Sequence, residues 1–170
     1  MDSKMVDAIN EQINFEFYSS YIYLSMSAYL KSLNLNGFAH WLEIQVQEEL
    51  AHAMKLFNFL EDRNGKVILE AIEKPKSTWN SPLDAFQDAY EHEKIVTARI
   101  NNLVDMALTQ KDHATNAHLQ WFISEQVEEE SNFCTIVQQI SLAEKSPGGF
   151  FLLDKEFSQR VFTPIDTNNK

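Results

Sequence analysis

The chain is predicted to be all-α: a four-helix bundle with a short fifth helix at its C-terminal end. Three observations predict this. Helix-breaking residues are few and clustered, at Gly37, Gly65, Pro75, Pro82, the Pro147-Gly148-Gly149 run and Pro164. The segments between them carry apolar residues at three- and four-residue spacing, the helical period. Glutamates interrupt these apolar stripes at matched positions: Glu16, Glu49, Glu93 and Glu129.

Helix A is predicted from about Lys4 to Leu33. Helix B starts after Asn36, read as its N-cap, and stops at Asn64-Gly65, a C-cap pair. Helix C starts at Ser81-Pro82, with Ser81 as cap, Pro82 in the first turn and Asp84 closing a capping box. Helix D starts after Asp112 and fades near Glu144, so the bundle spans about 4–144. Ser146-Pro147 opens helix E, about 147–162, which ends before Pro164. Helices of roughly 30 residues are about 45 Å long.

The A–B and C–D connections are short, so each pair is an antiparallel hairpin. The B–C connection, about Gly65 to Ser81, is long for a loop in a compact domain. About 16 extended residues reach roughly 50 Å, the length of the bundle. Helix C then starts at the end where B started, giving an up-down-down-up order with a long B–C crossover. Residues 1–170 read as one domain of this kind.

Composition narrows the partners. The formal net charge is −11, from 14 basic and 25 acidic residues. Nucleic acid and anionic membrane both need basic patches, so neither is expected; cations are. Cys134 is the only cysteine, which leaves no internal disulfide and fits a reducing compartment. Met1 to Asn10 has no apolar run or cleavage signal, and no segment has eighteen unbroken apolar residues. A cytoplasmic protein is expected.

The chemistry-bearing residues repeat. Glu16 precedes Glu49 by 33 positions and His52 by 36; Glu93 precedes Gln126 and Glu129 by the same two steps. Glu16 and Glu93, Glu49 and Gln126, and His52 and Glu129 are each 77 positions apart, as are Glu48 and Glu125. Two half-sites related this way meet across a pseudo-twofold axis if they lie near mid-helix. The four leading residues fall twelve to fourteen positions into their helices.

Each ligand sits in a stripe that is otherwise largely apolar. On A the stripe is Ile9, Ile13, Glu16, Ser20, Tyr23, Ser27, Leu30; on B it is Phe38, Leu42, Gln45, Glu49, His52, Leu56, Phe59. On C it is Phe86, Tyr90, Glu93, Val96, Ile100, Leu103; on D it is Leu119, Phe122, Gln126, Glu129, Phe133, Ile136, Ile140. Converging core carboxylates repel one another and hold protons unless a cation binds. Oxygen ligands with one imidazole suit iron or manganese better than soft-ligand metals.

These motifs resemble the ferritins of the haem-free bacterial and archaeal type, over nearly the whole chain. The matching segments are "INFEFYSSYIYLSM" around Glu16, "EIQVQEELAHAMKL" around Glu49 and His52, "YEHEKIV" around Glu93 and "WFISEQVEEES" around Gln126 and Glu129. Bacterioferritins carry a second Glu-x-x-His where this chain has Gln126-x-x-Glu129. They also have a haem-ligating Met where this chain has Leu50, and Met54 falls on another helix face, so no haem is expected.

The resemblance implies a ferroxidase centre. Glu16, Glu49 and His52 would hold a first iron; Glu49 as a bridge, Glu93 and Glu129 a second; Gln126 would orient bound oxygen or water. It implies a third iron position at Glu48, Glu125 and Glu128 with Glu129 shared; the plainer reading of these three is a solvated acidic face. Tyr23 and Trp121 match aromatics that the family uses as electron donors near the irons, and core packing is the competing reading for both. Glu130 is read as surface. The implied function is oxidation of Fe2+ by O2 or H2O2 and storage of ferric mineral in a homo-24-mer shell. Phe150, Leu153, Phe157 and Val161 form an apolar stripe on helix E, which either finds another subunit or packs back on its own bundle. The rival readings are a non-storage di-iron or di-manganese oxidase or peroxidase, and a metal-free signalling or structural bundle. The DNA-protection ferritins place ligands across a subunit interface and lack this arrangement within one bundle.

Overall fold

A computed structural model describes residues 1–165. Its five helices are α1 (Ser3–Ser32), α2 (Asn36–Asp62), α3 (Pro82–Thr109), α4 (His113–Ala143) and α5 (Gly149–Phe157). The first four agree with the sequence to within a residue or two. No helix among the described residues is long and apolar enough to cross a membrane.

The helix ends show how a chain with four glycines makes its turns. Asn34, Asn64 and Lys111 all take positive φ, at 61°, 56° and 57°. Each stands two residues past the last residue of α1, α2 or α3, and each is succeeded by an N–H bonded back five residues: Leu35 to Leu30, Gly65 to Leu60 and Asp112 to Ala107. These are Schellman closures. The Asn64-Gly65 stop is therefore correct, but the left-handed residue is Asn64.

The start of α2 departs from expectation. Asn36 is already helical and gives no side-chain cap. The carboxylate of Asp154, on α5, accepts from the N–H groups of Gly37 (2.7 Å) and Phe38 (3.1 Å) instead. At α3, Ser81 accepts from Asp84 N as predicted. The Asp84 carboxylate reaches one residue further back than a capping box requires, to the N–H of Asn80 at 2.9 Å.

The crossover is pinned along α1 by two amide side chains and a hydroxyl. Asn10 donates to Lys66 O and accepts from Ile68 N; Asn14 donates to Ile68 O and accepts from Glu70 N; Ser25 donates to Lys76 O. Contacts that advance from residue 10 to residue 25 carry the chain along the bundle, so α3 begins at the end where α2 began. These side chains satisfy part of the extended backbone's hydrogen-bond demand.

The interior divides into two apolar clusters. One gathers Met26, Leu30, Phe38, Trp41, Phe86 and Phe133; the other gathers Ile9, Ile13, Leu56, Leu60, Ile100 and Phe122. Along each helix the polar site residues fall between the two clusters. The ligand-bearing stripes predicted for α1 and α4 are buried throughout; on α2 and α3 the exceptions are Phe59 and Tyr90, which are half-buried.

Helix α5 corrects one expectation and decides between two others. It runs from Gly149 to Phe157, shorter than 147–162. Leu153 and Phe157 are buried in the first cluster, and Phe150 packs against it. Three of the four stripe residues therefore pack on their own bundle, burial worth roughly 2 kcal/mol for each fully buried side chain. Val161 lies beyond the helix and is exposed. The apolar residues that α5 leaves in solvent are Phe151 and Leu152.

Candidate metal centre

All six residues read as the core of the two-iron site are buried, and so is Tyr23. Glu16 and Tyr23 are 0% exposed, Glu49 and Glu93 1%, His52 2%, and Gln126 and Glu129 3%. Glu16 and Tyr23 come from α1, Glu49 and His52 from α2, Glu93 from α3, and Gln126 and Glu129 from α4.

Among the described residues, two groups of ligand atoms lie close enough together to hold a cation. Glu16, Glu49 and His52 form one; His52, Glu125 and Glu129 form the other, with all ligand atoms of a group within 4.8 Å. His52 serves both. Its Nδ1 is 3.7 Å from Glu49 Oε2 and its Nε2 3.9 Å from Glu125 Oε1. The Glu-x-x-His spacing on α2 places Glu49 and His52 on one face, one turn apart.

Glu93 is held differently. Tyr23 donates to its Oε1, and Gln126 Nε2 donates to its Oε2 at 3.1 Å. Both oxygens are engaged, and Glu93 joins neither group. The Tyr23 ring stacks on Phe133 with centroids 5.7 Å apart. Gln126 also reaches Thr97, whose hydroxyl donates to Glu130 at 2.6 Å. Glu130 is thus half-buried and linked to the site, not a plain surface residue.

The outer acids are distributed unevenly. Glu48, Glu125 and Glu128 line one cavity with His52, Lys55, His118 and Trp121. Glu125 reaches His52, whereas Glu48 Oε2 takes a 2.5 Å hydrogen bond from Arg160. Trp121 meets the His52 ring edge-on at 5.5 Å and carries Lys55 over its face at 4.7 Å. Leu50 and Met54 lie on the exposed side of α2, turned from the carboxylates.

Electrostatics mark the pocket as one that holds protons until a cation arrives. Burial, and next the Glu49 charge, raises Glu16 to about 8; burial and Glu129 raise Glu49 to about 8. Burial and Glu49 raise Glu93 to about 8, and burial and Glu93 raise Glu129 to about 8. Burial, then the Glu93 charge, lifts Tyr23 well above its ordinary range. Among the described residues, three buried carboxylate oxygens, all in this pocket, have no hydrogen-bond partner: Glu16 Oε2, Glu49 Oε2 and Glu129 Oε2. Unpaired buried carboxylate oxygens are costly, and a divalent ion satisfies them.

Four further residues hold the buried carboxylates in place: Gln12, Arg99 and Arg160, which carry no sequence signal of their own strong enough to single them out, and Gln45, which belongs to the predicted α2 stripe. Gln12 Nε2 donates to Glu16 Oε1 at 2.8 Å, and Gln45 Nε2 donates to Glu49 Oε1 and Glu129 Oε1, both at 3.0 Å. Arg99 Nε donates to Gln12 Oε1 at 2.8 Å, and an Arg160 guanidinium N–H donates to Gln45 Oε1 at 3.0 Å. A sequence signal exists for the glutamines: each stands four residues before its glutamate on one helix, Gln12-Glu16 and Gln45-Glu49.

A buried carboxylate–imidazole cluster midway through four long helices defines a metal-binding bundle, a pattern already known for ferritin-like di-metal proteins. Comparison with known proteins identifies the branch. The family profile described as the ferritin-like domain matches residues 6–143. The chain is similar to the bacterial non-heme ferritin of Escherichia coli O157:H7, 39% identical over 166 residues that cover 98% of each protein. It is 39% identical to the bacterial non-heme ferritin of Campylobacter jejuni over 155 residues, 91% of this chain and 93% of that protein. Among solved structures, an open pore ferritin from the hyperthermophilic archaeon Archaeoglobus fulgidus superposes with a TM-score of 0.93 at 50% identity, over 95% of this chain and 99% of that one. An engineered closed form of the same ferritin gives 0.94 at 51% identity, over 96% and 99%. The chain belongs to the ferritin family, whose members store iron.

Proposed function

We propose that the protein oxidises Fe2+ at a two-iron ferroxidase centre and deposits the ferric product as mineral inside a homo-24-mer shell. The observation that carries this reading is the set of three unpartnered buried oxygens, Glu16 Oε2, Glu49 Oε2 and Glu129 Oε2, beside His52. They present hard anionic donors and one imidazole, a set suited to iron.

In this reading Fe2+ is the substrate. Glu16, Glu49 and His52 bind one ion; Glu49, Glu93 and Glu129 bind the second. Binding displaces the protons that burial keeps on the carboxyls. Two Fe2+ give up two electrons, which reduce O2 to peroxide with two protons, or H2O2 to water. The anionic oxygens favour Fe3+ over Fe2+, which drives the transfer. Gln126 keeps an amide N–H at the Glu93 side of the pocket, where an oxidant or water is oriented. Tyr23 holds Glu93 and stands as a nearby one-electron donor. A third iron position uses Glu125, Glu128 and Glu129, with Glu48 at the same cavity. No haem takes part.

The shell is supported by apolar side chains that one subunit leaves in solvent. Tyr21, Leu24, Ile68, Leu69 and Ile72 are exposed along α1 and the crossover, and Phe151 and Leu152 on α5. Large apolar side chains left in solvent on several elements are surface that association would cover.

Replacing Glu49 or Glu93 with Ala tests the site. The expected result is a shell that assembles and has lost rapid Fe2+ oxidation. Unchanged oxidation rates in both variants would sink the assignment.

A further inference from the structure

We propose that Arg99 and Arg160 are positioning residues for the metal centre: each locks a glutamine amide so that its NH2 grips one oxygen of a ligand carboxylate and leaves the other free for the ion. This rests on the reading of the site as a ferroxidase centre.

The argument begins with the amides. A glutamine side chain can turn over, exchanging its C=O and NH2 ends, and either end can bond a carboxyl group that is sometimes protonated. A guanidinium has five donors and no acceptor. Whatever amide end faces it must be the oxygen. Arg99 Nε lies 2.8 Å from Gln12 Oε1, and an Arg160 N–H nitrogen lies 3.0 Å from Gln45 Oε1. The NH2 of each glutamine is thereby committed to the ligands.

The consequence appears in which oxygens are occupied. Gln12 takes Oε1 of Glu16, and Gln45 takes Oε1 of both Glu49 and Glu129. The unpartnered atoms are the Oε2 of the same three glutamates. Each carboxylate is held by one oxygen and presents the other. Outer groups that orient ligands this way tune metal affinity.

Both arginines are themselves fixed. Arg99 lies over the Phe15 ring at 4.2 Å and donates to Glu11 O. Arg160 lies over Trp41 at 3.8 Å, donates to Trp41 O and pairs with Glu48. They come from unrelated places, one on α3 and one beyond α5. The positions 77 residues after the two glutamines are Ala89 and Phe122, so the relays do not follow the internal repeat. They are an addition to the symmetric ligand set.

The test titrates the iron-free assembled protein with Co2+, reading affinity by calorimetry and coordination by the d–d absorption bands. Arg160→Met keeps the apolar stem over Trp41. It is expected to weaken tight-site binding about tenfold and to alter the bands. Gln45→Leu is expected to weaken binding as much, and Arg160→Met to add nothing in that background. Arg160→Lys should restore most of the affinity. Arg99→Met, on the other side of the bundle, carries the same expectation through Gln12→Leu and stands if the Arg160 variant does not assemble. Unchanged affinity and bands in both Met variants would overturn the proposal. So would an undiminished loss in the Gln→Leu backgrounds, because the arginines would then act by another route. Glu49→Ala separates the two levels: if it keeps tight Co2+ binding, the ferroxidase reading itself is wrong.

Discussion

Asp154 sits on the first turn of α2 so closely that residue 37 has no room for a side chain. Its carboxylate accepts from Gly37 N at 2.7 Å, and a Cβ on Gly37 would lie 1.7 Å from the Asp154 carbonyl oxygen. One contact thus supplies the missing N-cap of α2, anchors α5 and sets the start of the segment that carries Arg160.

Asp154→Ala is expected to cost about 1 kcal/mol, the usual worth of a lost cap. Gly37→Ala should cost more, because the new Cβ meets backbone and α5 must lift away. Guanidinium denaturation gives the order, and limited proteolysis after α4 reports the release of α5. Equal stability of Gly37→Ala and the unsubstituted protein would show that α5 does not sit here.

Tyr23→Phe keeps the ring against Phe133 and removes the donor to Glu93 Oε1. Folding stability should change by about 1 kcal/mol, the net worth of one hydrogen bond. Initial Fe2+ oxidation should slow about tenfold, as for other groups that orient a ligand. Stopped-flow absorbance at two Fe2+ per subunit measures it, and an unaltered rate would remove Tyr23 from the account.

The metal-free protein should lose stability as pH rises. Glu16, Glu49, Glu93 and Glu129 each titrate near 8 when folded against an ordinary 4.5, chiefly because they are buried. Between these values the folded protein holds protons that the unfolded chain has released, so unfolding gains as pH increases. The contribution is fully present below about 4.5 and fades toward 8. A bound divalent ion replaces those protons and flattens the dependence. Melting temperatures from pH 5 to 8, with and without Zn2+, provide the check. Parallel slopes would mean that these carboxyls do not hold the ion.

Much of this was legible in the chain itself, for a physical reason. Helical period and the 77-residue repeat are local or self-referential signals, so the four helices, the crossover and the burial of six polar residues near mid-helix could be read from the sequence. The α2 cap could not: Asn36 has the right chemistry, but Asp154 arrives from 117 positions away and displaces it. The stripe on α5 was visible, while its destination depended on where the end of the bundle lay. Arg99 and Arg160 reach the site only through tertiary packing. Their glutamines were within reach, since Gln-x-x-x-Glu occurs on both α1 and α2 and Gln45 stands in the predicted α2 stripe, but that spacing alone does not tell a buried pair from an exposed one.

The most direct test of the central claim is iron per subunit after aerobic loading with excess Fe2+ and size-exclusion chromatography. The account predicts on the order of tens to hundreds of irons per subunit co-eluting with a very large particle, as symmetric closed assembly of many copies requires. Two or three irons per subunit on a small oligomer would contradict it: the di-metal site would stand, and the storage shell would not.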